Sequence, residues 1–206
     1  VINIYQRPWT KLETRLKTIK IKEFIATKLQ DKTYTSEEGL DLSKNILKDI
    51  QLSKKKYKVK YAVALNSGAS CLHVAMHAVG IKPGDEVITS PFSVLWDAGV
   101  AIIMGAKVKF ADVKYDTHNI DPKKIEELVT NKTKAIVVVH LYGQSCDMEK
   151  LLQIVKKYNL PTIEDCSQSA GAKYKNKHLG SLGTFGCFSF FPIPEIVPPV
   201  PTPAIK

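Results

Sequence analysis

The sequence predicts an α/β protein with a mainly parallel sheet, and three observations carry that prediction. From Tyr61 onward, short apolar runs of strand length alternate with stretches of helical period. Clusters of Gly, Pro, Asn and Asp separate the two kinds of segment. The intervals are long enough to hold a crossover helix, so consecutive strands can run parallel, joined by right-handed βαβ units that cover both faces of the sheet.

Residues 40–53 carry an amphipathic helical pattern after a polar turn at Thr33, Tyr34, Thr35 and Ser36. Tyr61–Leu65 reads as the first convincing strand and Ala69–Val79 as its helix, with Gly80 placed where a left-handed residue ends helices. Glu86–Thr89 is the next strand, followed by a helix over Val94–Met104 and a strand over Val108–Ala111. Asp121-Pro122 fits an N-cap with proline at the first helical position, which predicts a helix over Pro122–Val129. A strand over Ala135–His140, a helix over Asp147–Tyr158 and strands over Thr162–Glu164 and Phe185–Phe190 complete the pattern. The stretch from Pro192 to Lys206 holds six of the eleven prolines and fits neither a central strand nor a helix interior; an extended, polyproline-like tail is expected. The expected division is a basic helical segment over 1–57, an α/β domain over 58–191 and a proline-rich tail over 192–206. No internal repeat is present.

Composition narrows the function classes. With 206 residues, 44% hydrophobic and 24% charged, the chain is globular in composition and long enough to bury roughly 70% of its unfolded surface. The longest apolar run, Val94 to Met104, is broken by Asp97 and is far short of the roughly 20 residues of a membrane-spanning helix. The N-terminus has no apolar core of signal-peptide length and no initiator Met, so a processed or incomplete chain in the cytoplasm is expected.

The net charge of +10 is local: residues 1–60 carry 15 Lys and Arg against 7 Asp and Glu, and the other residues 15 against 13. Its densest part, Lys54 to Lys60, has neither zinc-finger spacing nor an aromatic RNA-binding signature, so a solvated face is expected rather than a nucleic-acid groove. Attraction of an anionic substrate fits the same charge. Cys71, Cys146, Cys166 and Cys187 are too scattered for a zinc site and read as reduced, buried thiols. His73 and His77 share a helix face, but no third ligand accompanies them, and no metal is expected.

Three segments lie at the carboxyl ends of expected strands, where an open parallel sheet binds its ligands. Asn66-Ser67-Gly68-Ala69-Ser70 is a small-residue turn into a helix; it is either an anion seat built from free N–H groups or a turn with small residues for geometry only. Glu164-Asp165 puts one carboxylate at the ligand edge, since neighbouring side chains alternate; it either pairs with a cationic cofactor nitrogen or caps a following helix. The third, Gly180 to Pro192, has dinucleotide-like glycine spacing but precedes a strand, so that reading is rejected on context, and Ser189 remains as a candidate phosphate ligand.

These segments form part of a wider pattern. With Gly84-Asp85-Glu86-Val87-Ile88, Gly105-Ala106-Lys107, Lys132-Thr133-Lys134-Ala135-Ile136, Val139-His140-Leu141-Tyr142-Gly143-Gln144 and Phe188-Ser189-Phe190, the chain resembles the DegT/DnrJ/EryC1/StrS family over about residues 25–193. The resemblance implies the large domain, in part, of an aspartate-aminotransferase-like fold and a pyridoxal 5'-phosphate cofactor. The implied activity is transfer of an amino group, with glutamate the expected donor, to a nucleotide-linked keto-sugar by a homodimer.

Residue by residue, Gly68, Ala69 and Ser70 match the turn that holds the cofactor phosphate, with Ala69 where a Thr is usual. Asp165 matches the partner of the pyridine nitrogen, Gln168 a residue near the phenolic oxygen, and Ser189 a further phosphate contact. Two positions depart from the pattern. Val94 stands where many members place an aromatic ring against the cofactor, with Trp96 two residues on. Pro194 stands where the resemblance places the lysine that forms the Schiff base with the cofactor and then moves the proton. The expectation is therefore a half-length chain that is inactive in transamination, the alternative being a non-catalytic protein that binds the cofactor or a partner.

Overall fold

A computed structural model of the protein describes residues 2–5 and 36–189, with side chains from Leu47 to Ser189. The expected turn at 33–35, the end of the strand expected to reach Phe190, the proline-rich tail and Pro194 lie outside the described residues, as does most of the N-terminal half of the basic segment.

The main sheet has seven strands: β1 (Ile2–Tyr5), β2 (Tyr61–Ala64), β3 (Glu86–Thr89), β4 (Lys107–Phe110), β5 (Thr133–Val139), β6 (Thr162–Asp165) and, after a two-stranded hairpin, β9 (Phe185–Cys187). Their order is β2-β1-β9-β6-β5-β3-β4. The pairs β3 with β4, β3 with β5, β5 with β6 and β6 with β9 are parallel, as the alternating pattern predicts. β1 is the exception: it runs antiparallel to both β2 and β9 and joins them. Ile2–Tyr5 falls in the stretch expected to be helical, and four residues are too few to show a period. Backbone pairing on both sides, from Ile2 with Ala64 to Tyr5 with Phe185, places it in the sheet.

The helices are α1 (Ser36–Tyr57), α2 (Gly68–Ala78), α3 (Trp96–Ile103), α4 (Pro122–Leu128) and α5 (Met148–Lys157). Most of their boundaries have local causes. Ser67 caps α2 by accepting the Ser70 N–H at 3.1 Å, and Asp121 caps α4 by accepting the Lys123 N–H at 3.0 Å. Asp147 caps α5 through the Lys150 N–H. Gly80 follows α2 at φ 82°, the left-handed conformation that glycine adopts without strain.

The hairpin β7 (Lys173–Tyr174) and β8 (Lys177–His178) has no counterpart in the sequence reading. Its turn residues, Lys175 and Asn176, both have positive φ. That is the geometry two-residue hairpins favour, but Lys-Asn is a weak signal for it.

Side-chain alternation along the strands builds a core on each face of the sheet. Val87, Ala135, Val137 and Ile163 pack under α2 and α3 with Leu72, Met76 and Val100. Ile88, Ile136 and Val138 face the other way, against Ile125 of α4 and Leu151 and Ile154 of α5. A third cluster joins Tyr57, the last residue of α1, to Cys166, Leu179 and Phe188. The glycine spacing that resembles a dinucleotide fingerprint has a packing cause here. A Cβ on Gly186 would collide with the backbone oxygen of Gly180, so the loop before β9 lies directly on the strand. No helix among the described residues is long and apolar enough to cross a membrane.

Candidate functional site

The parallel register of β5, β6 and β9 brings the residues that follow these strands to one edge of the sheet, and the turn after β2 reaches the same edge. There the start of α2 meets the segment after β9. A Cβ on Gly68 would stand 3.0 Å from Ser189 Cβ, 3.4 Å from Ser189 Oγ and 3.6 Å from Ser167 Oγ. Three segments distant in sequence thus converge on the first turn of a helix. The Ser70 N–H is taken by the Ser67 hydroxyl, and the N–H groups of Gly68 and Ala69 before it have no intrahelical acceptor. Ser70 adds a hydroxyl 2.9 Å from that of Ser67, whereas Ala69 brings no hydroxyl.

Asp165 ends β6 at this edge and is almost fully buried. Its Oδ1 accepts both the N–H and the hydroxyl of Ser167, at 2.8 and 2.6 Å. The segment after β6 is a turn followed by β7, so the helix that Asp165 might have capped is not there. Gln168 is exposed, and its Oε1 accepts the N–H of Tyr142 at 2.9 Å. That bond holds the turn Leu141–Gly143, in which Tyr142 has φ 52°, and leaves the Gln168 amide NH2 as a donor.

Glu164 points to the opposite face from Asp165. It organises the segment before β9. Its Oε2 accepts the Gly180 N–H at 2.8 Å, and its Oε1 accepts the N–H groups of Leu182, at 2.8 Å, and of Gly183. His140 Nε2 lies 3.0 Å from the same Oε2, while His140 Nδ1 accepts the Cys146 N–H at 3.1 Å. Burial opposes a charge on this ring and Glu164 favours one; the N–H aimed at Nδ1 decides for a neutral ring with its proton on Nε2. His140, Glu164 and Cys166 bring three metal-ligating atoms within 4.8 Å of one another. The lone pairs of His140 and Glu164 are committed to these bonds, and burial pushes the Cys166 thiol well above its usual range. The cluster acts as a strut.

One acid at this edge enters the sequence reading only as a break in an apolar run, not as a site residue. Asp97, in the first turn of α3, is 1% exposed, and its Oδ2 accepts the Ser93 hydroxyl at 2.6 Å. Burial first, and then Asp165, push its carboxyl up to about 8. Its signal in the sequence is that it alone interrupts the apolar run from Val94 to Met104. Val94 and Trp96 are both about half exposed beside it.

The sequence profile of the DegT/DnrJ/EryC1/StrS aminotransferase family matches residues 51–197. The chain is 47% identical over 135 residues to the "Pleiotropic regulatory protein" of Geobacillus stearothermophilus, covering 66% of this chain and 36% of that protein. It is 45% identical over 133 residues to the GDP-perosamine synthase of Caulobacter vibrioides, covering 65% of this chain and 36% of that protein. Among solved structures it superposes on the aminotransferase from Psychrobacter cryohalolentis with a TM-score of 0.67 and 35% identity, over 77% of this chain and 44% of that one. The chain therefore spans between a third and a half of the length of each of these proteins.

Proposed function

Because the chain belongs to the DegT/DnrJ/EryC1/StrS aminotransferase family, we propose that the edge formed by α2, β6 and β9 is the pyridoxal 5'-phosphate seat of a sugar aminotransferase. The reaction assigned to that enzyme is transfer of an amino group from an amino acid, glutamate first, to a nucleotide-linked keto-sugar in polysaccharide biosynthesis. Likeness to the GDP-perosamine synthase supports the nucleotide-sugar class. One observation carries the reading: Gly68, Ser189 and Ser167 meet at the start of α2, on the edge where Asp165 ends its strand.

The residues fit the group. No side chain at position 68 fills the cradle, so a phosphate can approach the N–H groups of Gly68 and Ala69 and the hydroxyls of Ser70 and Ser189. Asp165, held by Ser167, offers a fixed negative charge to a cationic ring nitrogen. Gln168 offers its NH2 to the phenolic oxygen. When bound, the cofactor supplies the electron sink of the chemistry. Through these contacts the chain's own part is to seat the phosphate, hold the ring nitrogen charged and exclude water from the buried side.

Pro194 favours a second reading, because proline has no amine with which to attach a cofactor. These 206 residues are then a seat without covalent attachment or turnover, a cofactor- or partner-binding protein. A pyridoxal-phosphate titration followed by absorbance, with borohydride reduction of the mixture, tests both readings. Saturable binding with no reducible attachment is expected. Absence of binding overturns the cofactor seat, and a reduced adduct on a specific lysine overturns the reading of Pro194.

We further propose that the protein pairs with a second copy of itself. Leu95 and Ile103 are 72% and 70% exposed, and with Trp96 and Ile102 they form an apolar patch on α3 of the kind that marks association surfaces. Sedimentation as a dimer at micromolar concentration is expected; a monomer there counts against it. Cys71, Cys146, Cys166 and Cys187 are unbridged and buried, which suits the reducing cytoplasm as the place of action.

A further inference from the structure

Asn119 is 2% exposed, and both ends of its side-chain amide are spent on one neighbouring segment. Its Oδ1 accepts the Leu141 N–H at 3.1 Å, and its Nδ2 donates to the Gln144 carbonyl at 3.1 Å. The first partner can only donate and the second only accept, so the orientation of the amide is fixed. The two bonds bracket the turn Leu141–Gly143 after β5, which closes through the Gln144 N–H on the Leu141 carbonyl at 2.8 Å. Within the bracket stands Tyr142 at φ 52°, a left-handed conformation that a bulky residue keeps only where its surroundings impose it.

Asn119 is itself anchored. Its carbonyl accepts the Lys114 N–H at 2.9 Å, and Ile120 beside it is bridged to Val113 across the same loop. On its far side the turn meets Gln168. The Tyr142 N–H donates to Gln168 Oε1 at 2.9 Å, and a Cβ on Gly143 would stand 3.7 Å from the Gln168 carbonyl oxygen. Gln168 is exposed, and among the described residues this is the one hydrogen bond of its side chain. An exposed side chain without such a bond samples several rotamers.

We propose that Asn119 is a positioning residue for the ligand contact at Gln168: it holds the Leu141–Gly143 turn in the shape that presents the Tyr142 N–H to Gln168 Oε1, and so fixes where the Gln168 NH2 stands. The inference rests on the proposed cofactor seat for the identity of what that NH2 meets, the phenolic oxygen of pyridoxal phosphate. A residue that served the fold alone would weaken every ligand of the seat alike. A residue that places Gln168 changes one contact and spares a ligand that lacks the phenolic oxygen.

The test titrates wild type, Asn119→Ala, Gln168→Ala and the double variant with pyridoxal 5'-phosphate and with its 3-deoxy analogue, which has no phenolic oxygen. Gln168→Ala is expected to weaken pyridoxal phosphate by about 3-fold to 10-fold, the worth of one hydrogen bond. Asn119→Ala is expected to lose a similar amount, and the double variant no more than Gln168→Ala alone, because both act through one contact. None of them should weaken the analogue. Gly143→Ala, which puts a Cβ on a residue at φ 79°, strains the same turn without touching Asn119 and should show the same selective loss should Asn119→Ala fail to fold.

Additive losses in the double variant, equal weakening of both ligands, or no loss on Gln168→Ala overturns the proposal. If wild type binds neither ligand, the cofactor seat falls, while amide hydrogen exchange still decides whether Asn119 places Gln168. The N–H groups of Leu141 and Tyr142 should be protected in wild type and exchange faster together in Asn119→Ala or Gly143→Ala. A Tyr142 N–H that is unprotected in wild type, or whose protection the substitutions leave unchanged, overturns the inference.

Discussion

Replacing Glu164 by alanine is expected to lower the stability of the protein by about 2–6 kcal/mol, the cost of leaving two fully buried donors without an acceptor. The size follows from what the carboxylate holds. It accepts the N–H groups of Gly180, Leu182 and Gly183 and meets the ring N–H of His140, and Glu164 and His140 are both fully buried. Removing it strands the donors of Gly180 and His140 in the interior and those of Leu182 and Gly183 in a half-buried segment, and each stranded buried donor costs about 1–3 kcal/mol before the loop relaxes. A domain of ordinary stability, about 5–15 kcal/mol, would lose a large part of its margin. Urea unfolding of wild type, Glu164→Gln and Glu164→Ala is the measurement. Glu164→Gln keeps one acceptor oxygen and should fall between the other two; equal midpoints for all three would remove Glu164 from its place as a strut.

The second large effect is on binding. Asp165→Asn keeps the shape and the oxygen that takes Ser167, but it loses the charge offered to a cationic nitrogen. Removing one side of a buried charge pair costs about 2–5 kcal/mol, roughly 30-fold to 4,000-fold in affinity for pyridoxal phosphate. Stability should move little, and at pH 8 it should improve, because the like charge beside Asp97 is gone. This split is expected to separate the two neighbours on β6, Glu164 holding the loop before β9 and Asp165 facing the proposed seat, since successive side chains of a strand face opposite ways. An Asp165→Asn variant that binds pyridoxal phosphate as tightly as wild type would count against the seat at that residue.

The strands and helices of the α/β domain were legible because each rests on a local regularity. Glu86–Thr89 has the expected bounds, and the other elements common to sequence and structure shift by a few residues at most. Pairing partners and backbone bonds, which a period does not encode, set where they stop; β4 begins at Lys107 because Lys107 pairs with Glu86. The hairpin β7–β8 was not legible, since two-residue strands are too short to show a period.

The sequence by itself determined the alternation of strand and helix, the small-residue turn at Gly68 and the acidic pair at Glu164 and Asp165, because period, turn chemistry and neighbouring residue types are local properties. It also determined the family resemblance, which is a matter of linked motifs. Only the tertiary structure decided that Ile2–Tyr5 joins β2 to β9, that Gly68 meets Ser189, and that Asp97 is buried away from water. The physical reason is common to all three. A strand's partner, a close backbone approach and the burial of an acid depend on groups far away along the chain, and these become neighbours only when the sheet closes and water leaves.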